Sequence, residues 1–267
     1  YSAPDRIYHE AEAIRWLEQY MPGTCPKLTF EDKPNFIMAM EAVPPPFQNL
    51  KDLFMNSAPL NEYFTKAGSI LGEMHALGLD RERVPELFFD TDFFESLRID
   101  PYYVECKKRV EQTREFFDQL IRETRADGYT FTHGDFSPKN LLVKNNQLIL
   151  LDHEVAHFGD GTFDLGFFIA HLFSKANHLK TYRNDFLEGI NQFFAAYLEF
   201  PVSMSTLREQ RAVKHAIGCL LARVRGLSQL EYLNDLQRER QLLIGLTLTA
   251  STPGTITQLV TRFRELL

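Results

Sequence analysis

Apolar positions repeat with a helical period over residues 5–20, where Ile7, Ala11, Ile14 and Leu17 share one face and Pro22-Gly23 ends the run. The next two apolar runs, residues 25–30 and 35–43, are short and β-like, and the polar turn EDKP between them predicts a hairpin. A proline cluster, VPPPF at residues 43–47, follows. Beyond it the helical period dominates. The spacing predicts helices over 60–77 and 101–124, then over about 163–177, 182–198, 205–224, 236–248 and 253–266. One β pattern interrupts them. Residues 141–143 and 148–151 read as two strands around KNNQ, with Asn145-Asn146 at the turn because Asn tolerates positive φ. The pattern predicts an α+β chain: a small β-containing N-terminal part, a proline-rich link, and a large helical part holding one isolated hairpin.

Composition narrows the function classes. The 267 residues, 44% of them hydrophobic, suffice for one large domain or two smaller ones. A formal net charge of -7 argues against a general nucleic-acid binder. No apolar run reaches the ~18 residues that a spanning helix needs, so neither a nucleic-acid nor a membrane partner is expected. Cys25, Cys106 and Cys219 are odd in number and widely spaced, which fits free thiols in a reducing, cytoplasmic compartment. The N-terminal stretch carries no signal-peptide pattern. Nothing in the sequence sets the oligomeric state.

Candidate chemistry is concentrated in FTHGDFSPKNLLVKNNQLILLDHEVAHFGDGTFDLG, residues 131–166. Asp135 and Asn140 precede the first strand of the hairpin, and Asp152 follows the second. A hairpin returns the end of its second strand to the start of its first. Asp152 is therefore expected beside Asn140 and the loop that holds Asp135. Two oxygen ligands, Asn140 and Asp152, facing one gap suit Mg²⁺, which completes its shell with water and substrate phosphates. Asp135 is placed to accept a proton from a hydroxyl. Together these parts suit phosphoryl transfer. A metal-dependent hydrolase would use the same carboxylates but leaves the Asp-to-Asn spacing unexplained.

HGDFSPKN has the spacing of a kinase catalytic loop, and LLDHE stands where protein kinases carry their metal-binding Asp. With HGD, D-x-E and GDGTFDLGFFIAHL, the chain resembles the aminoglycoside phosphotransferase and choline kinase-like superfamily of small-molecule kinases. The resemblance implies a protein kinase-like two-lobe fold, with ATP and Mg²⁺ as cofactors and a small-molecule hydroxyl acceptor. It implies Asp135 as the catalytic base or hydroxyl-orienting group, and Asn140 and Asp152 as metal ligands. Glu154 matches the acidic position that also contacts metal in methylthioribose kinase-like members. His133 would brace the loop, and Asp164 would accept its backbone N–H groups. Ser137 stands where protein kinases usually have Lys, which disfavours protein phosphorylation. Lys139 would either touch phosphate or stay solvated.

HEAEAIRWLEQYMP resembles the family's helix whose Glu, here Glu10, pairs with the Lys that grips the nucleotide phosphates; a solvated Glu is the alternative. FIMAMEAVP resembles the strand and hinge that hold adenine, at Met40 and Ala42. The glycine-rich loop and strand Lys that should precede Glu10 are not in the sequence, so residues 1–43 are expected to form an incomplete nucleotide lobe and 44–267 the helical lobe. Arg223 and Arg225 stand broadly where methylthioribose kinases use paired Arg, which would suit an anionic or sugar acceptor; surface Arg favouring a helix C-terminus is the alternative. Polycationic aminoglycosides would want an acidic pocket, for which FFDTDFFESLRID (88–100) and LEYLND (230–235) are candidates. A catalytically silent binding protein on the same fold is the reading from another class.

Overall fold

A computed structural model describes residues 3–59, 61–145 and 147–267. Leu60, where the helix over 60–77 was expected to start, and Asn146 of the expected turn lie outside the described residues. The chain runs through α1 (Arg6–Tyr20), strands β1 (Leu28–Asp32), β2 (Ile37–Met40) and β3 (Gln48–Asn49), then α2 (Leu50–Asn56) and α3 (Asn61–Gly78). A helical stretch follows as α4 (Asp92–Phe94), a π-helical segment (Glu95–Val104) and α5 (Glu105–Arg109), then α6 (Arg114–Ala126). Strands β4 (Thr130–Thr132), β5 (Leu141–Lys144), β6 (Gln147–Leu150) and β7 (His157–Gly159) come next. The chain ends in α7 (Thr162–His178), α8 (Arg183–Tyr197), α9 (Thr206–Arg225), α10 (Asp235–Ala250) and α11 (Ile256–Leu266).

Both expected hairpins form, with Asp32 opposite Ile37 in one and Lys144 opposite Gln147 in the other. The second is not isolated, however. β3 pairs antiparallel with β5, giving the order β3-β5-β6, and β4 pairs with β7. Strands this short leave no readable alternation. The single helix expected over 101–124 is also broken. Pro101 has no amide hydrogen to give, and the turns around it widen into the π-helical segment. Val110 then leaves helical space at φ -130, ψ 86, and the Thr113 hydroxyl donates to its carbonyl. The last helix begins at Ile256 rather than 253, because Thr255 caps it by accepting from the Gln258 amide.

One contiguous core runs from α1 to α11. Its centre is α7, which is buried on every face except at His178, as an apolar-all-round helix must be. Gly166 lets α9 come close, since a Cβ there would lie 2.3 Å from that of His215. α1 is fixed beside the strands by Trp16, which stacks on Phe131 of β4 at 4.4 Å, and by the Leu150 amide, which donates to the Thr24 carbonyl at 2.7 Å. Among the described residues no helix is long and apolar enough to cross a membrane.

Candidate active site

The loop between β4 and β5 is held from below by α7. Asp164, in the first turn of that helix, accepts the amide N–H of His133 at 2.7 Å and of Gly134 at 2.9 Å. It is fully buried, and His75 Nε2 lies 3.2 Å away. Burial pushes the Asp164 carboxyl up, but His75 and the His133 amide outweigh it and hold the group below the usual carboxylate range. His133 Nδ1 accepts the Asp135 amide N–H at 3.1 Å, which leaves Nε2 to donate to the Leu151 carbonyl at 3.2 Å. Burial lowers the His133 pKa against the pull of Asp164, so the ring is neutral.

Gly134 shows why this loop reads HGD. Its φ is +76°, and a Cβ would stand 2.8 Å from the Val155 carbonyl oxygen. Gly134→Ala is expected to destabilise the protein by about 2 kcal/mol or more, from left-handed strain plus that clash. A urea or thermal melt measures it; an unchanged midpoint would mean that the backbone can rearrange there.

Asp135, Asn140 and Asp152 come together. Asn140 Nδ2 donates to Asp135 Oδ2 at 2.8 Å, leaving its own carbonyl oxygen to face elsewhere. Lys139 Nζ lies 3.0 Å from Asp135 and 3.7 Å from Asp152. Asp152 follows β6 at φ 69°, in the left-handed region that Asp tolerates better than most residues. Arg98, from the π-helical segment, pairs with Asp135 at 3.0 Å and donates to the Gly134 carbonyl at 2.7 Å. Burial pushes the Asp135 carboxyl up, but Arg98 and then Lys139 win, and the group stays ionised below the ordinary carboxylate range. Sequence reading missed Arg98. The acid-rich segment it belongs to brings an Arg, not its acids, to Asp135.

A second acidic group adjoins the first. Glu10 is buried on α1, and its Oε2 has no hydrogen-bond partner among the described residues. Burial, then the nearby Asp152 charge, pushes its pKa up to about 8. Burial and Asp152 also raise Glu154, while Arg6 at 3.2 Å opposes them. Glu10 and Glu154 are thus both raised, chiefly by burial and then by the Asp152 charge beside them. No cluster of three or more His, Cys, Asp or Glu side chains could hold a metal by itself among the described residues. The donors near this gap, Asn140, Asp152 and Glu154, are hard oxygens. They fit a Mg²⁺ ion that takes the rest of its shell from water and phosphate.

Two cavities are lined by candidate residues. Ala42 lines an apolar one of about 260 Å³ with Cys25, Val43, Phe47 and Ile149; Met40, opposite Leu28 in the β1–β2 ladder, does not line it. The other, about 420 Å³, is lined by Arg98, Asp135, Lys139, His171, Lys175 and Arg223 among others. Arg225 lies outside it and pairs with Glu239 at 3.3 Å. The separation follows from the helix: Arg211, His215, Cys219 and Arg223 fall every four residues on the buried face of α9, whereas Arg225 is turned away by two. His171 and Lys175 share the same spacing on α7. A Lys inside FDLGFFIAHLFSKAN was a signal of burial that the sequence reading passed over.

The profile of the phosphotransferase enzyme family (APH) matches residues 2–200. No curated protein matches the sequence. Several solved structures share the fold. A choline/ethanolamine kinase family protein from Mesorhizobium loti is 18% identical, with a TM-score of 0.60 over 97% of this chain and 83% of that one. The amicoumacin kinase hAmiN, in complex with AMP-PNP, Ca²⁺ and Ami, is 14% identical, with a TM-score of 0.60 over 97% and 82%. An aminoglycoside phosphotransferase from Alicyclobacillus acidocaldarius is 13% identical, with a TM-score of 0.53 over 99% and 84%.

Proposed function

Because this chain belongs to the phosphotransferase enzyme family, we propose that it moves the γ-phosphate of ATP, bound with Mg²⁺, to a hydroxyl of a small molecule. The observation that carries the reading is the convergence of Asp135, Asn140 and Asp152 around Lys139 beside a cavity large enough for an acceptor. A nucleotide analogue and a divalent ion in the amicoumacin kinase structure accord with it. Residues 1–43 supply the nucleotide side, with Ala42 and the apolar cavity toward adenine, and residues 44–267 supply the acceptor side.

In this reading Asp135 accepts a hydrogen bond from the acceptor hydroxyl. The acceptor oxygen bonds to the γ-phosphorus, the bond from that phosphorus to the β–γ bridging oxygen breaks, and the hydroxyl proton passes to the Asp135 carboxylate. Arg98 and Lys139 keep that carboxylate ionised and weakly basic. Its first task is therefore to orient the hydroxyl, as a loose phosphoryl-transfer transition state requires. Asn140 and Asp152, with Glu154, would hold Mg²⁺, whose contribution is to neutralise charge on the phosphates. Lys139 bridges Asp135 and Asp152 and faces the place where the γ-phosphate passes.

The test is acceptor-dependent ADP release from Mg-ATP, with thermal-shift titration of AMP-PNP beside it. Transfer to one or more hydroxyl compounds is the expected result. If AMP-PNP left the melting curve unmoved and no acceptor released ADP, the transferase reading would fall and a silent kinase-fold binding protein would replace it.

A further inference from the structure

Resting on that transferase reading, we propose that the acceptor is an anionic hydroxy compound whose carboxylate or phosphate is held by Arg223 and Lys175. The cavity beside Asp135 is lined by five cations, Lys51, Arg98, Lys139, Lys175 and Arg223, against two acids, Asp135 and Glu231. Asp135 engages Arg98 and Lys139, and Glu231 pairs with Lys51. Arg223 and Lys175 are left over. They are only 6% and 1% exposed, and neither has a carboxylate partner among the described residues. Buried cations are costly unless something negative meets them.

Their present contacts are all with neutral groups, the Tyr102 and Phe167 rings at 5.0 and 5.1 Å from the Arg223 guanidinium among them. Arg223 Nη1 donates to the Ser228 carbonyl at 3.0 Å and hydroxyl at 2.8 Å, and Nη2 donates to His171 Nε2 at 2.9 Å. All three acceptors are neutral, since burial and Arg223 keep His171 far below its ordinary pKa. Arg223 Nε and the Tyr232 hydroxyl, on the same cavity, are buried without partners among the described residues. Lys175 Nζ has the Tyr232 ring at 5.6 Å. Burial, then Lys51 and Arg223, draws the Lys175 pKa down to about 7, with Glu231 the opposing charge. A choline or an aminoglycoside would bring more positive charge against two unpaired cations. An anion would satisfy both, and its hydroxyl would lie in the cavity that Asp135 lines.

Lys175→Met is expected to raise Tm at pH 7 by about 2–4 °C or more, because a buried charge is removed. The unfolded chain holds this proton up to its ordinary pKa of 10.5 and the folded one only to about 7, so the gain shrinks as pH rises through that window. Binding reads the proposal directly. Sulfate, whose charge is constant over this range, should bind the full chain more weakly as pH rises above about 7, where Lys175 loses its proton; the groups facing it are Lys51, Arg223, Glu231, His171 and Tyr232.

Lys175→Met and Arg223→Gln should each weaken sulfate about 10- to 100-fold and raise KM for an anionic acceptor such as glycerate similarly. Should Arg223→Gln fail to fold, the stabilised Lys175→Met variant still decides. Turnover of choline or kanamycin without sulfate binding would overturn the anionic acceptor and leave the transferase reading standing. Sulfate binding lost in the variants, with no transfer to any acceptor, would keep the anion site and remove the transferase.

Discussion

Asp135→Asn is expected to lower kcat by about 10²- to 10⁴-fold, the usual contribution of a positioned general base, with nucleotide affinity largely unchanged. The substitution keeps the size of the side chain and the bond from Asn140, but it takes away the one carboxylate that pairs with Arg98 among the described residues. Stability should therefore fall too, because Arg98 is left buried without its countercharge. Adding Arg98→Gln separates the two effects: the double variant should regain much of the lost stability and none of the lost turnover. Steady-state kinetics and melting of the single and double variants check this. Wild-type turnover by Asp135→Asn would make the loop a structural brace.

Asp152→Asn should remove Mg²⁺-dependent nucleotide binding and cut kcat/KM by roughly 10²- to 10³-fold, as loss of one preorganised charge at a phosphate site does. Asn is the better probe than Ala, because Asp152 sits at φ 69° and Asn accepts that region with little strain. The side chain is 38% exposed and its nearest cation, Lys139, keeps Asp135, so the fold should hold. AMP-PNP titrated with and without Mg²⁺ gives the answer. Equal affinity in both conditions for wild type and variant alike would free Asp152 of the metal role.

The parts of the site that the sequence displays are those built from local chain. HGDFSPKN, the hairpin and LLDHE lie within one short stretch, and a hairpin's own geometry brings their polar ends together. What escaped is contributed over long range. Arg98 reaches Asp135 from 37 residues upstream, through a π-helical segment that does not keep the 3.6-residue period of an α-helix. β3 is two residues long and is a strand only because β5 lies beside it. The Arg223–Arg225 pair looked equivalent as sequence. It is divided by the 3.6-residue turn of α9, which needs the identity of the buried face to interpret.

Asp164 and Lys175 stand eleven residues apart on α7. That is about 16 Å of rise and within about 20° of three full turns, so the two side chains leave the same side of the rod. The helix thus works as a gauge block: one end registers the loop that carries Asp135, the other sets how deep the anion anchor reaches. A one-residue insertion between them would swing Lys175 about 100° away while Asp164 still gripped its amides. In this chain, exchanging side chains at positions 171, 175 and 223 would change the cavity and leave the grip on the catalytic loop intact, whereas changing the length of α7 between its two ends would uncouple them.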